Sequence, residues 1–262
     1  MSALPAGPVL RIRTHRAGAG LDWVRQGLRL YARQPLVLVV LVGLGPLFLG
    51  TLQIVPLVGD FAALVLTPAM ALGMLTACRA ASLGAVASVP CYVQALRDPI
   101  ARLRLFQLGL VYTLFAAIVA FLFSLAPPAD SATPGASSAP EFPLGPIPAP
   151  LVLALLVVAV PFAMMVWFAP ALCGWYRMAV PKALFFSFFA FWRNRWAILV
   201  YLLTLLGLWV IAVMFVGALI NMLNARQGLA PYLLVAPLLF LTLAISQCVH
   251  LQVVQAIIDD GA

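Results

Sequence analysis

The sequence predicts an all-α, polytopic membrane protein of six transmembrane helices, laid out as three hairpins, each preceded by a basic amphipathic interfacial segment. Three observations carry that prediction. Of 262 residues, 65% are hydrophobic and only 8% are charged, whereas a soluble protein carries roughly 25% charged residues. Six runs without Asp, Glu, Lys or Arg lie at about 35–55, 61–78, 105–125, 150–172, 197–220 and 231–253, and about 17–25 residues suffice to cross a bilayer. The basic residues gather in alternate connections. Together these exclude a soluble enzyme, a disordered chain and a disulfide-stapled secreted domain. The runs do not alternate apolar and polar residues, which excludes a strand barrel. Lipid offers the backbone no hydrogen-bond partners, so each run is a helix.

Taken in order, residues 1–20 form a flexible polar tail. They lack the apolar core of a signal peptide, so the first span is expected to insert as an uncleaved anchor. Residues 21–82 make the first unit. At 100° per residue Leu21, Val24, Leu28 and Tyr31 share a face, Asp22, Arg25, Gln26, Arg29 and Arg33 occupy the opposite arc, and Trp23 flanks the apolar side. A helix built this way lies in the membrane interface with its arginines toward anionic headgroups, each contributing about 1 kcal/mol of attraction. The turn Val55-Pro56-Leu57-Val58-Gly59-Asp60 closes the first hairpin. Asp60 is expected to cap free N–H groups there and to meet the positive end of the helix dipole.

Residues 88–176 make the second unit. Asp98-Pro99 reads as a helix start, an N-cap followed by proline at the first helical position. Within its outer connection, residues 126–150, eight of 25 positions are proline, a composition that stays extended or disordered. Residues 180–257 make the third unit. Its interfacial segment, Lys182 to Trp196, carries Phe185, Phe186, Phe188, Phe189, Phe191, Trp192 and Trp196 beside Arg193 and Arg195; aromatic rings favour the headgroup level.

The three units repeat one plan. Arg33-Gln34-Pro35, Arg97-Asp98-Pro99 and Arg193-Asn194-Arg195 each set an arginine and a polar side chain immediately before a span. The second helix of each unit holds an interior proline, Pro68, Pro170 or Pro237, which removes a backbone hydrogen bond and kinks the helix. Repeats of this kind either enclose a site on a shared axis or reflect duplication alone.

Orientation follows from charge. Arg11, Arg13, Arg16, Arg25, Arg29, Arg33, Arg79, Arg97, Arg102, Arg104, Arg177, Lys182, Arg193 and Arg195 fall on one side of six spans, and Arg226 alone on the other, with Asp60, Asp130 and Glu141. The positive-inside rule then places both termini in the cytoplasm. It also accounts for the net charge of +8 and the pI near 9.9, so no nucleic-acid partner is expected.

Motifs for chemistry are absent. The spans hold no carboxylate pair, and the chain has no HExxH, no GxSxG, no phosphate-cradling glycine loop and no metal cluster. The four cysteines, Cys78, Cys91, Cys173 and Cys248, form no CxxC pair and read as small apolar fillers. No catalytic residue, metal or cofactor is expected. Ser246, Gln247 and His250 form a polar stripe on the last span at i, i+3 and i+4 spacing; it either packs against a neighbouring helix, meets water or lines a ligand path. The spans lack the ionisable groups that proton relays and ion-coupled carriers use.

Phe168-Ala169-Pro170-Ala171-Leu172 and Lys182-Ala183-Leu184-Phe185-Phe186-Ser187-Phe188-Phe189-Ala190-Phe191-Trp192-Arg193-Asn194 resemble an uncharacterised family of β-proteobacterial inner-membrane proteins. Trp23-x-x-x-Gly27-x-x-Leu30-Tyr31-x-x-Gln34-Pro35 and Ile54-Val55-Pro56-Leu57-Val58-Gly59 fit the same family. The resemblance implies a bacterial inner-membrane location and no particular activity. The expected function is non-enzymatic: organising membrane lipid, or a protein partner, at the cytoplasmic face. Trp23, Arg25, Arg29, Arg33, Arg97, Lys182, Trp192, Arg193, Arg195 and Trp196 are the expected lipid-binding residues. The alternatives are a carrier or channel for an apolar or lipid-like solute, built on the kinking prolines and the polar stripe, and an intramembrane enzyme using Ser246 or His250.

Overall fold

The computed structural model describes residues 10–125, 149–222 and 230–259. Its elements run β1 (Arg11–Ile12), α1 (Ala19–Tyr31), α2 (Pro35–Leu52), α3 (Val58–Ser82), α4 (Pro90–Arg97), α5 (Pro99–Ser124), α6 (Ala149–Val166), α7 (Ala169–Gly174), α8 (Val180–Arg193), α9 (Arg195–Met222), α10 (Ala230–Ile257) and β2 (Ile258–Asp259). Among the described residues six helices are long and apolar enough to cross a membrane, α6 and α7 together making the fourth. The fold is the all-α, six-span arrangement that the sequence predicts, with α1, α4 and α8 as the short helices before each hairpin. The outer connection expected to be disordered lies outside the described residues apart from its last two positions, as do Arg226, Asp130 and Glu141.

Two spans extend furthest beyond their charge-free runs. Helix α3 starts at Val58 and carries Arg79 in its last turn. Helix α5 starts at Pro99 and takes Arg102 and Arg104 into its first two turns. A charge-free criterion trims such ends, because an arginine within a helix extends its stem along apolar surface and keeps its head polar. Asp98 caps α5 as predicted, its carboxylate accepting the Ile100 N–H at 3.1 Å. Asp60 does not cap α3: the N-cap is Leu57, with φ 64° and no side-chain capping bond. Asp60 sits within the first turn, where only its charge meets the helix dipole.

The short helices close the bundle into a ring. Helix α4 packs on α3, the second span of the hairpin before it, and α8 packs on α6 and α7 in the same way. Helix α1 has no hairpin before it and packs on α10, the last span, and on α9. The seams use small residues, which let backbones approach when lipid supplies no hydrophobic drive between helices. A Cβ added to Gly27 of α1 would lie 2.7 Å from the Val249 Cα, and one added to Gly73 of α3 would lie 2.7 Å from the Tyr92 Cα. On α8 the buried positions include Ala183, Ser187 and Ala190. Strand β1 pairs antiparallel with β2, Ile12 opposite Ile258, and the Arg13 N–H donates to the Ile257 carbonyl at 2.9 Å. The flexible tail expected over residues 1–20 is therefore a built segment from residue 10 onward. Pairing with a partner nearly 250 residues away leaves no trace in local composition.

The interior holds Leu72, Leu105, Leu108, Phe168, Leu172, Val249 and Ile257, all fully buried. The outer faces carry exposed Leu36, Leu203, Ile211, Met214 and Phe215. In water such patches would be a liability; on a six-span bundle they are the surface that meets acyl chains.

Candidate functional site

The residues of interest lie mainly at the end of the bundle that holds α1, α4, α8, β1 and β2, here termed the basic end. Each Arg-polar pair before a span makes a specific tie there. Gln34 bridges the connection after α3: its Nε2 donates to the Ala85 carbonyl at 2.8 Å and its Oε1 accepts the Ala87 N–H at 2.9 Å. Arg33 donates to the Ser82 carbonyl at 3.1 Å. Asp98 takes a hydrogen-bonded ion pair from Arg177, in the connection after α7. Desolvation raises the Asp98 carboxyl, but the Arg177 hydrogen bond, the Ile100 N–H and the Arg177 charge outweigh it and hold the group below its ordinary 3.8. Asn194 is almost fully buried. Its Oδ1 accepts the His15 N–H at 2.9 Å, and its Nδ2 donates to the Arg13 carbonyl at 2.9 Å and the Ala190 carbonyl at 3.0 Å. His15 also meets the Ala256 carbonyl through Nε2 at 2.9 Å and sets its ring edge-on to Trp23 at 5.5 Å.

Of the residues expected to face lipid headgroups, Arg25, Arg29, Arg33, Arg97, Lys182, Trp192, Arg193, Arg195 and Trp196 are exposed. Arg25 pairs with Asp22 at 3.6 Å on the surface. The Arg195 guanidinium lies 5.1 Å over the Trp192 ring and 5.6 Å over the Trp196 ring, a cation–π arrangement. Trp23 is the exception, being buried at 4% exposure. The buried face of α1 is Gly20, Trp23, Val24, Gly27 and Leu30, rotated from the predicted apolar face, and Leu21 and Leu28 stay exposed. The rotation follows the glycines, which a hydropathy wheel counts as neutral although they set the closest approach.

The repeat prolines differ in setting. Pro68 is buried inside α3 and Pro237 is exposed on α10. Pro170 stands beside a break between α6 and α7 at Trp167 and Phe168. Ser187 of α8 repairs that break. Its hydroxyl donates to the Met164 carbonyl at 2.8 Å and accepts the Phe168 N–H at 3.0 Å. These are the two ends of one lost helical hydrogen bond, so the hydroxyl is inserted into the ladder. Two further interior prolines, Pro46 in α2 and Pro161 in α6, belong to the same set by chemistry.

The polar stripe does not form one cluster. The Ser246 hydroxyl donates to the Leu243 carbonyl of its own helix at 3.2 Å and lines an apolar groove of about 430 Å³ between α9 and α10, to which Leu28 of α1 also contributes. His250 turns to the break, its ring 5.5 Å from Trp167 and 6.5 Å from Phe168. The His250 Nε2 and Trp167 Nε1 atoms are buried and have no hydrogen-bond partner among the described residues. Among those residues no three of His, Cys, Asp and Glu gather where one metal ion could touch them all.

Sequence reasoning missed Ser187, Tyr92 and the Cys78–Cys248 contact. Tyr92 of α4 donates to the Leu41 carbonyl at 2.7 Å, tying the second short helix to the first span. Cys78 and Cys248 bring their sulfurs to 3.8 Å across α3 and α10. A polar residue inside an aromatic run, as Ser187 is, was the one available signal.

Over 200 residues the chain is 34% identical to a probable inner membrane protein of Burkholderia thailandensis, a match covering 71% of each chain. The chain belongs to this family of inner-membrane proteins. It is a multi-pass integral protein of the inner membrane, as the sequence resemblance implied. No protein-family model matches the chain, and no solved structure matches it.

Proposed function

We propose that this inner-membrane protein is non-enzymatic and organises anionic lipid at the cytoplasmic face, with its basic end and both termini inside the cell. The observation that carries the reading is the exposure, at one end, of Arg25, Arg29, Arg97, Lys182, Arg193 and Arg195 beside the exposed rings of Trp192 and Trp196. Arginines and indoles at the headgroup level attract anionic lipid. The positive-inside asymmetry supports the orientation. Burial of Pro68 and Pro170 among side chains supports a scaffold over a conduit. The separation of Ser246 from His250, which share no hydrogen bond among the described residues, speaks against a catalytic pair.

The test is quenching of tryptophan fluorescence by brominated lipids in reconstituted vesicles. Brominated phosphatidylglycerol should quench more strongly than brominated phosphatidylcholine. The difference should shrink when Arg25, Arg29, Arg193 and Arg195 are all changed to Gln. Equal quenching by the two lipids in the unaltered protein would overturn the reading. One feature favours a carrier of apolar solutes instead: the groove between α9 and α10, lined almost wholly by apolar side chains. Saturable, selective uptake of a fluorescent acyl probe, blocked by Leu238→Trp, would support that alternative.

A further inference from the structure

At the basic end a cleft of about 760 Å³ opens between the end of α3, helix α4 and the connection after α7. Its chemistry is set by Thr76, Arg79, Gln94, Asp98, Trp175 and Arg177. The volume lies in the range of small-ligand sites, roughly 300–1,000 Å³. We propose that this cleft binds the phosphate of an anionic phospholipid headgroup, with Arg79 as its principal ligand and Arg177 as the second. The proposal rests on the lipid-organising reading and gives it one defined, stoichiometric site.

Arg79 is held in place without being used up. Its guanidinium lies 4.9 Å over the Trp175 ring. That ring is itself fixed, because Trp175 Nε1 donates to the Thr76 hydroxyl at 3.2 Å and Thr76 donates to the Leu72 carbonyl at 2.9 Å. Among the described residues the Arg79 guanidinium makes no hydrogen bond and no ion pair; the Arg79 carbonyl is engaged, by the Ser82 hydroxyl and the Leu83 N–H. Its donors are therefore available in an orientation that the indole sets, which suits planar two-point recognition of a phosphate. Stacking leaves the N–H edge unblocked, whereas a carboxylate partner would cover it.

Arg177 lines the same cleft. It engages Asp98 through Nε, and its side chain remains largely exposed. The two Asp98 oxygens are spoken for, one by Arg177 and one by the Ile100 N–H. Two guanidiniums against one committed carboxylate leave a cleft of net positive charge. Gln94 adds an amide to the cleft. The level is also right for a lipid, since Arg79 occupies the last turn of a span and Asp98 the residue before the next. Exposed Leu83 lines the cleft, and exposed Ile100 and Leu103 follow Asp98 in the first turns of α5, apolar surface along which acyl chains would continue. A free phosphate would need the guanidiniums but not these apolar side chains.

The test uses the full chain in nanodiscs of phosphatidylcholine containing a minor fraction of phosphatidylglycerol, with lipid retention read by native mass spectrometry. The unaltered protein should keep one phosphatidylglycerol per chain. Arg79→Gln should lower that occupancy roughly tenfold, the scale of one lost charge-assisted hydrogen bond, while Arg16→Gln, at an exposed arginine outside the cleft, should leave it unchanged. If Arg79→Gln fails to assemble, Arg79→Lys, which keeps the charge and loses the fork, should still show a partial loss. Equal retention by the unaltered and Arg79 proteins would overturn the site. In that case preferential quenching by brominated phosphatidylglycerol would show that the broader reading survives. A second arm titrates inorganic phosphate in a phosphatidylcholine background. Binding of inorganic phosphate that depends on Arg79, without retained lipid, would overturn the lipid assignment in favour of a soluble anion.

Discussion

Replacing Ser187 by alanine removes a single oxygen atom and strands two backbone groups. Phe168 N–H and Met164 C=O each reach that oxygen, at 3.0 and 2.8 Å. Ser187 is fully buried, so neither water nor lipid takes its place. A buried backbone group left unpaired costs about 1–3 kcal/mol. Two such groups set an upper range of about 2–6 kcal/mol on that figure. Direct closure of the helix across the gap would recover part, but Pro170 crowds the carbonyl four residues before it and resists straightening. The expected net loss is therefore about 2–4 kcal/mol. Ser124→Ala is the matched control: its hydroxyl donates to the Phe121 carbonyl at an exposed position, and its loss should cost under about 0.5 kcal/mol. Reversible unfolding in mixed micelles, titrated with sodium dodecyl sulfate, gives both values on one scale. If Ser187→Ala and Ser124→Ala were equally mild, the hydroxyl would not be holding the break, and the account of α6 and α7 would fail.

Other predictions follow from the ring and its ties. A membrane-permeant oxidant should join Cys78 to Cys248, whose sulfurs are 3.8 Å apart, and digestion should yield the cross-linked peptide pair; its absence would contradict the contact between α3 and α10. Asn194→Ala should release residues 11–15, because the two hydrogen bonds by which that side chain holds the His15 N–H and the Arg13 carbonyl are lost together; amide hydrogen exchange over this segment should rise at least tenfold, a change of about 1.4 kcal/mol in opening, and unchanged protection would refute the tie. Burial, with Cys78 and Cys91 adding to it, pushes the Tyr92 hydroxyl from 10 up to about 12. The folded state thus holds that proton longer than the unfolded state, so its contribution is complete below pH 10 and is lost as pH rises through about 12. Unfolding midpoints across that window should fall less steeply for Tyr92→Phe than for the unaltered chain.

The spans and their basic end were legible because they rest on composition summed over some twenty residues, where single exceptions average out. Asp98-Pro99 was legible because capping is a local matter of two residues, and the structure keeps it. The face of α1 was misread for the opposite reason. A hydropathy wheel groups Leu21, Val24, Leu28 and Tyr31, yet Trp23, Gly27 and Leu30 are the ones buried. In a membrane, closeness of backbones outweighs apolarity of side chains, and Gly27 sits against Val249. Asp60 looked like a cap because it follows a turn, but a backbone with positive φ at Leu57 starts the helix three residues sooner. The ties of Gln34, Asp98 and Asn194 share a visible sequence pattern, whereas their partners come from connections with no pattern in common. The cleft around Arg79 draws on three separate stretches of chain, so no window of sequence contains it.

The packing of α1 on α10 also sets a timetable. Ribosomes deliver a chain from its N-terminus, so α1 emerges well before its partner α10. Until then Trp23, Gly27 and the polar backbone of β1 wait without the surfaces that cover them in the finished protein. Such distant contacts form late and slowly. Helix α1 is thus made long before it is seated, and a nascent chain stalled before α10 carries an unsealed edge. That edge is what a quality-control protease would meet, and the pairing of β1 with β2 marks a chain in which α10 has been made and seated.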